Sequence, residues 1–202
     1  MPDDEACARL RRMNVPTQEP FMLHVGGNQW YKNRLGVLQI FSRVRQEATQ
    51  AQRLVMVGRE WSAEMSEFSR VNSLGDSVIA LPEISNEDLR ALYSKAECLL
   101  FPSFHEGFGW PLVEAQACAC PVITSNRPPM NYIAGDAAIY IDPEDCEGAA
   151  ATIITSLDTL GGRREASLQN ARRFKSSTMA SKYLELYEKL APTARQATCS
   201  VV

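Results

Sequence analysis

Six short apolar runs, each closed by a glycine or polar turn and separated by longer stretches of helical spacing, constrain this chain more than anything else in it. The runs are Phe21–Val25, Arg53–Gly58, Ser77–Leu81, Cys98–Phe101, Pro121–Thr124 and Ala138–Ile141. Between them, Leu35, Leu38, Phe41 and Val44 recur at helical period from Asn33 onward. Trp61–Val71, Asn86–Ala96 and Pro111–Cys118 read as further helices. Ser85, with Asp88 three positions on, is the expected N-cap of the Asn86 helix. Strands this short and uniformly apolar, alternating with helices, predict a parallel sheet covered on both faces. The fold class is therefore α/β, a doubly wound, Rossmann-like sheet of about six strands. A helix over residues 4–13 precedes it, ended by Asn14-Val15-Pro16-Thr17, and helices at about 146–158, 162–174 and 176–190 follow it. Arg195–Val202 reads as a loose tail. The division expected is an entry segment at 1–20, a Rossmann-like unit at 21–175, and a terminal helix with its tail at 176–202.

A doubly wound sheet presents ligands with the loops at the carboxyl ends of its strands. Three such loops carry the polar and glycine residues: Gly26–Lys32, Leu81–Ser85 and Ser103–Trp110. The third is the most telling, because Glu106 and Glu114 bracket it and Gly107, Gly109 and Pro111 lie between them. The glycines permit backbone angles closed to other residues and let the main chain approach a ligand. Pro111 suits the first turn of a helix, whose free N–H groups and dipole attract an anion such as a diphosphate. Glu114, one turn in, is placed to accept a pair of vicinal hydroxyls, as on a ribose. Glu106, before the glycines, is placed to touch a sugar or a developing positive charge.

In the first loop, Gly26-Gly27-Asn28 and Lys32 suggest phosphate binding, although neither GxxxxGK[ST] nor GxGxxG is present. A lysine at a helix start is mildly disfavoured by the dipole, which favours an anion contact over simple solvation. Trp30 and Tyr31 are candidates either for a sugar pocket or for packing, and Arg59 either reaches the cleft or is solvated. A catalytic histidine is not expected at His105.

The remaining composition excludes several classes. Net charge is −3, so no basic excess points to nucleic acid, and no apolar run reaches the ~18 residues of a membrane span. The six cysteines are scattered and sit in apolar surroundings, as small buried hydrophobes of a reducing, cytoplasmic setting do, and no metal site is expected.

The segment Pro102–Asn126, PSFHEGFGWPLVEAQACACPVITSN once Pro102 is taken as its start, resembles the E-x(7)-E motif of retaining family 4 glycosyltransferases with a GT-B fold. HVGGNQWYKNR, LPEISNEDLRALYSKAECLLFPS and AGDAAIYIDPED support it, so the resemblance spans about residues 21–145. It implies the C-terminal, donor-binding half of a GT-B enzyme. Glu106 would face the transferred sugar near its anomeric centre and Glu114 the ribose hydroxyls of a nucleotide sugar. The main chain of Gly107, Phe108 and Gly109 would contact sugar hydroxyls, and that of Leu112 and Val113 phosphate. Lys32 would neutralise the diphosphate, Gly27 and Asn28 would line its loop, and Pro82 would lie near the base. The reaction implied is transfer of a glycosyl group from a nucleotide-diphosphate sugar to an acceptor hydroxyl, with no metal or other cofactor. The N-terminal GT-B domain would be supplied in cis or in trans, and the isolated chain would be inactive or nearly so. Three departures stand out: Gly26–Asn28 where the family often has an arginine, Ala119 where a glycine is usual, and Tyr132 where an acid is common. Tyr183, Leu186, Tyr187 and Leu190 of the last helix are expected to be exposed or to mediate a homodimer. The alternative is a nucleotide-binding or interaction module without activity of its own. An epimerase or dehydrogenase is disfavoured, since GxxGxxG and a suitably placed Tyr-x-x-x-Lys are lacking.

Overall fold

The computed structural model describes residues 1–48 and 52–191. The tail expected at 195–202 lies outside the described residues. Six parallel strands form one sheet: β1 (Phe21–Val25), β2 (Arg53–Val57), β3 (Val78–Leu81), β4 (Cys98–Phe101), β5 (Val122–Ser125) and β6 (Ile139–Ile141). Their order is β3-β2-β1-β4-β5-β6. The chain winds outward from β1 to β3, then returns to the other side of β1 and winds outward again. The reversal falls between β1 and β4, where Met22 pairs with Cys98 and Leu23 with Leu99. Ligand crevices form at such a reversal, outside the carboxyl ends of the strands.

Period-two alternation sorts the strand side chains between two cores. Leu23, Val55, Val57, Leu99 and Phe101 face one side, with α1 (Asp3–Arg12), α4 (Asn86–Lys95), α5 (Trp110–Ala117) and α6 (Met130–Ala134) over them. Met22, Leu54, Met56, Cys98 and Leu100 face the other, covered by α2 (Arg34–Glu47), α3 (Ala63–Val71) and α7 (Cys146–Ser156). Leu23, Leu54, Leu99 and Leu100 are wholly buried, each contributing about 1.5–3 kcal/mol relative to exposure.

Helix ends follow their local chemistry. Ser85 caps α4 by accepting the Asp88 N–H, and Ser62 caps α3 by accepting the Met65 N–H. The cap at Ser62 moves the start of α3 two residues past the expected Trp61. The helix expected at 162–174 is shorter: 3-10 turns at Leu157–Arg163 and Arg172–Phe174 flank α8 (Arg164–Ala171). Helix α6 and the 3-10 turn Trp30–Lys32 were not foreseen, because segments of three to five residues are too short to show a period. The last helix, α9 (Ser176–Leu190), has no buried residue, and Met179, Tyr183, Leu184, Leu186, Tyr187 and Leu190 are exposed.

Candidate functional site

The loops after β1 and β4 meet at the reversal and are stitched together. The turn Trp30–Lys32 ends at Asn33, which sits in the left-handed region at φ 52°. The Asn33 amide donates to the carbonyls of Pro102 (3.0 Å) and Pro143 (3.2 Å). The Phe104 N–H donates to the Tyr31 carbonyl at 2.8 Å. This geometry brings together two residues that the sequence had suggested separately. Lys32 Nζ lies 2.8 Å from both carboxylate oxygens of Glu106, at 17% and 6% side-chain exposure. The ammonium also lies 5.5 Å from the Phe101 ring centre. His105, next in sequence, is exposed and stands edge-on to Tyr31.

Two of the glycines behave differently from one another. Gly109 is left-handed (φ 93°) and forms the N-cap of α5, with Pro111 in the first turn, so this turn requires glycine. Gly107 adopts no positive φ, and a Cβ there would meet open space. The expectation that Gly107 supplies an unusual backbone angle is therefore corrected: what it leaves is an uncovered stretch of main chain. Phe108 packs on Trp110 at 4.8 Å and on Phe174 at 5.8 Å, walling the elbow with aromatic rings. The Leu112 N–H, expected to be free for phosphate, donates to the Gly109 carbonyl at 2.9 Å, whereas the Val113 N–H has no backbone acceptor outside the helix.

Glu114 is exposed, and its carboxylate accepts a hydrogen bond from the Tyr93 hydroxyl at 3.0 Å. Tyr93 is 2% exposed. Its burial, and then the negative charge of Glu114, hold the phenol well above its usual pKa, so it remains a donor. Tyr93 escaped sequence reasoning because nothing local in α4 marks it. Glu106 and Glu114 do not touch; the loop 107–109 separates them.

A cleft of about 690 Å³ opens beside this region, lined by Asn28, Arg59, Glu60, Pro82 and Glu83. Asn28 and Pro82 therefore share one cavity, and Arg59 lines it too. Neither Glu106 nor Glu114 belongs to its lining. The walls are rigidly tied. Asn28 donates to the Glu60 carbonyl at 2.8 Å, and Arg34 donates to the Arg59 carbonyl at 2.8 Å and to the Asn28 side-chain oxygen. Gly58 (φ 144°) lies against the Gly26 carbonyl so closely that a Cβ would sit 1.9 Å from that oxygen. Gly27 sits at the same strand end, where a Cβ would run into the Gln29 side chain. Beneath the loop, His24 is fully buried and its Nδ1 lies 3.0 Å from the Leu100 carbonyl. Burial, with the nearby charges of Arg34 and Lys32, lowers its pKa to about 4, so the ring is neutral and Nδ1–H is the donor. Among the described residues no group of three His, Cys, Asp or Glu side chains gathers as a metal centre requires. Cys98 and Cys120 are buried free thiols, the latter pushed up to about 12 by burial.

The description "Glycosyl transferases group 1" matches residues 9–174. The O-antigen chain mannosyltransferase B of Escherichia coli is 29% identical over 84% of this chain and 46% of its own length. An O-antigen chain mannosyltransferase of Salmonella typhimurium is 33% identical over 63% of this chain and 36% of its own length. A glycosyltransferase structure from Rickettsia africae superposes with a TM-score of 0.82 at 20% identity, covering 96% of this chain and 54% of that one. The chain spans about half the length, or less, of these relatives. Its six-stranded parallel sheet with flanking helices is the Rossmann-like half of a GT-B fold. With a match running from α1 to the end of the last 3-10 turn, the chain belongs to the group 1 glycosyl transferases.

Proposed function

We propose that this chain is the nucleotide-diphosphate-sugar-binding unit of a retaining glycosyltransferase, acting without metal and completed by a second GT-B domain in cis or in trans. Residues 21–175 form the donor-binding unit, 1–20 the entry segment and 176–202 the terminal helix and tail. The observation that carries this reading is the Lys32–Glu106 pair held at the strand reversal, within a frame of loop-to-loop hydrogen bonds. In this reading Lys32 exchanges Glu106 for the donor diphosphate, helped by the Val113 N–H and the dipole of α5. Leu112 contributes its amide once the bond to Gly109 opens. The main chain of Gly107, Phe108 and Gly109 takes sugar hydroxyls, and Glu114, oriented by Tyr93, takes the ribose diol. Gly27, Asn28 and Pro82 flank the nucleotide. Glu106 stands by the anomeric carbon as its bond to the diphosphate oxygen breaks and the acceptor oxygen bonds on the same face, the acceptor's proton passing to the departing diphosphate. No helix of the described residues is long and apolar enough to cross a membrane. The reduced thiols fit a cytoplasmic setting, and the apolar stripe of α9 packs either on the completing domain or on a second copy.

The mannosyltransferase relatives, among them a GDP-mannose-dependent enzyme of Xanthomonas oryzae, make GDP-mannose the first donor to test. Calorimetry against GDP-mannose and against UDP- and ADP-sugars should show binding of one class. Glu114→Ala should weaken it about tenfold or more, as loss of hydrogen bonds to a charged group does. Absence of binding at millimolar nucleotide sugar, or equal binding by the variant, refutes the assignment. One observation favours a module without transfer activity: Gly26–Asn28 stand in the first-strand loop, so no arginine there joins Lys32 on a diphosphate. Glycosyl transfer by the chain joined to a completing domain decides against that reading.

A further inference from the structure

Arg34 ties Asn28 to the Arg59 carbonyl, but its charge has no counter-ion among the described residues. It is 5% exposed, yet among the described residues no carboxylate lies within ion-pair distance of it. It is the first residue of the 14-residue helix α2, where the dipole opposes a cation. Its Nε is buried without an acceptor. The helix end around it also lacks a capping hydrogen bond, although the Asn33 side chain lies against Gly36. Asn33, at the N-cap, makes no capping bond because its amide serves Pro102 and Pro143, and the N–H groups of Leu35 and Gly36 have no backbone acceptor outside the helix. The two oxygens that accept from the guanidinium are neutral, so its buried charge is compensated only when an anion arrives. Beside Arg34 lies a cavity of about 270 Å³, whose other polar walls include Asn28, Gln29, Ser62 and Glu64. Trp30 lines it as well, 76% exposed and held 6.2 Å from Phe104 in a stacked pair. Glu64 is the one carboxylate in the lining. This cavity shares only Asn28 with the larger cleft.

We propose that the cavity at the start of α2 is a second binding site, distinct from the donor cleft, that takes a phosphorylated monosaccharide. The phosphate sits on Arg34 and the first-turn amides of α2. The sugar ring lies against Trp30, and Gln29, Ser62 and Glu64 take hydroxyls. Amides, a hydroxyl and a carboxylate around one exposed indole suit a polyol better than an apolar ligand. The volume, just below the roughly 300–1,000 Å³ range of ligand pockets, suits one sugar phosphate and is too small for a nucleotide. The inference goes beyond the donor reading and does not depend on it.

The test is calorimetry of the full chain with glucose 6-phosphate, inorganic phosphate and glucose. Glucose 6-phosphate should bind, glucose should not bind at millimolar concentration, and Arg34→Gln should weaken the sugar phosphate about tenfold or more. Trp30→Ala should weaken glucose 6-phosphate several-fold and leave inorganic phosphate unchanged. Glu114→Ala should leave both unchanged while weakening nucleotide sugar, which separates this site from the donor site. Because Arg34 also ties Asn28 to Arg59, amide shifts of the wild-type chain give a check that needs no variant: Leu35 and Gly36 should move with glucose 6-phosphate. The proposal is overturned if neither phosphate binds, if Arg34→Gln binds as well as wild type, or if the shifting amides are confined to Gly107–Val113. Equal glucose 6-phosphate binding by Trp30→Ala overturns the saccharide assignment.

Discussion

Breaking the Lys32–Glu106 pair tests the frame on which the proposed donor site rests. Two unit charges 2.8 Å apart attract by about 6 kcal/mol at an effective dielectric of about 20. Desolvating each ion returns much of that, so the net worth of the pair is small while the cost of orphaning one member is large, about 3–5 kcal/mol. Glu106 is the more buried, so Lys32→Met, which strands its carboxylate, should cost about 4 kcal/mol. Glu106→Gln, which leaves an ammonium with some access to water, should cost about 3 kcal/mol. The double variant Lys32→Met/Glu106→Gln strands no charge, so its loss should fall well below either single change, to about 1 kcal/mol, giving a coupling of about 6 kcal/mol. Urea unfolding followed by tryptophan fluorescence, at constant m, measures all three. Additive losses, or single losses below about 1 kcal/mol, would show that the two groups do not hold each other and would remove the observation that carries the proposed function. Glu106→Gln also separates roles: with Lys32 unpaired, nucleoside diphosphate should bind at least as well as in the wild type, while glycosyl transfer by a completed enzyme should be lost.

Two further outcomes follow from the same coordinates. Ala119 is left-handed at φ 58°, which costs an alanine about 1–2 kcal/mol, so Ala119→Gly should stabilise the chain by about 0.5–1 kcal/mol net of glycine's unfolded-state freedom, seen as a rise in Tm; an unchanged or lower Tm refutes this. His24 has a folded pKa near 4 against an ordinary 6.5, so the unfolded chain binds the proton first. Stability conferred by the neutral ring is complete above pH 6.5 and is lost as pH falls toward 4, up to about 3 kcal/mol, and His24→Gln should flatten urea midpoints across that window; an equal slope in the variant refutes it.

What could be read without coordinates was what repeats locally. The six strands were legible because each is an uninterrupted apolar run, and the helix at Asn86 because Ser85 caps it three residues before Asp88. The loops at the strand ends were legible because glycines and acids cluster there. What escaped was whatever depends on two distant segments meeting. Lys32 and Glu106 are 74 residues apart, and Tyr93 and Glu114 sit on different helices, so neither pair has a sequence signature. Arg34 carries no local signal either; its burial depends on the ends of β1 and β2 meeting, where its guanidinium donates to the Asn28 side chain and the Arg59 carbonyl.

These missed contacts share a cause. The loops after β1 and β4 become neighbours only because the winding reverses between those strands. Asn33 and the Phe104–Tyr31 bond then lock the loops before any ligand arrives. Pre-locking has a chemical consequence. In the proposed reading, a lysine already fixed in folding need not be ordered when a diphosphate binds, an entropic saving set against the cost of leaving the buried Glu106 carboxylate unpaired. Discrimination between ligands then falls to groups left outside the lock: the exposed Glu114, Arg59 at the cleft wall, and Trp30 over the smaller cavity. Substitutions at these exposed positions should alter which ligand binds with little change in stability, and substitutions at Lys32, Asn33 or Glu106 should do the reverse.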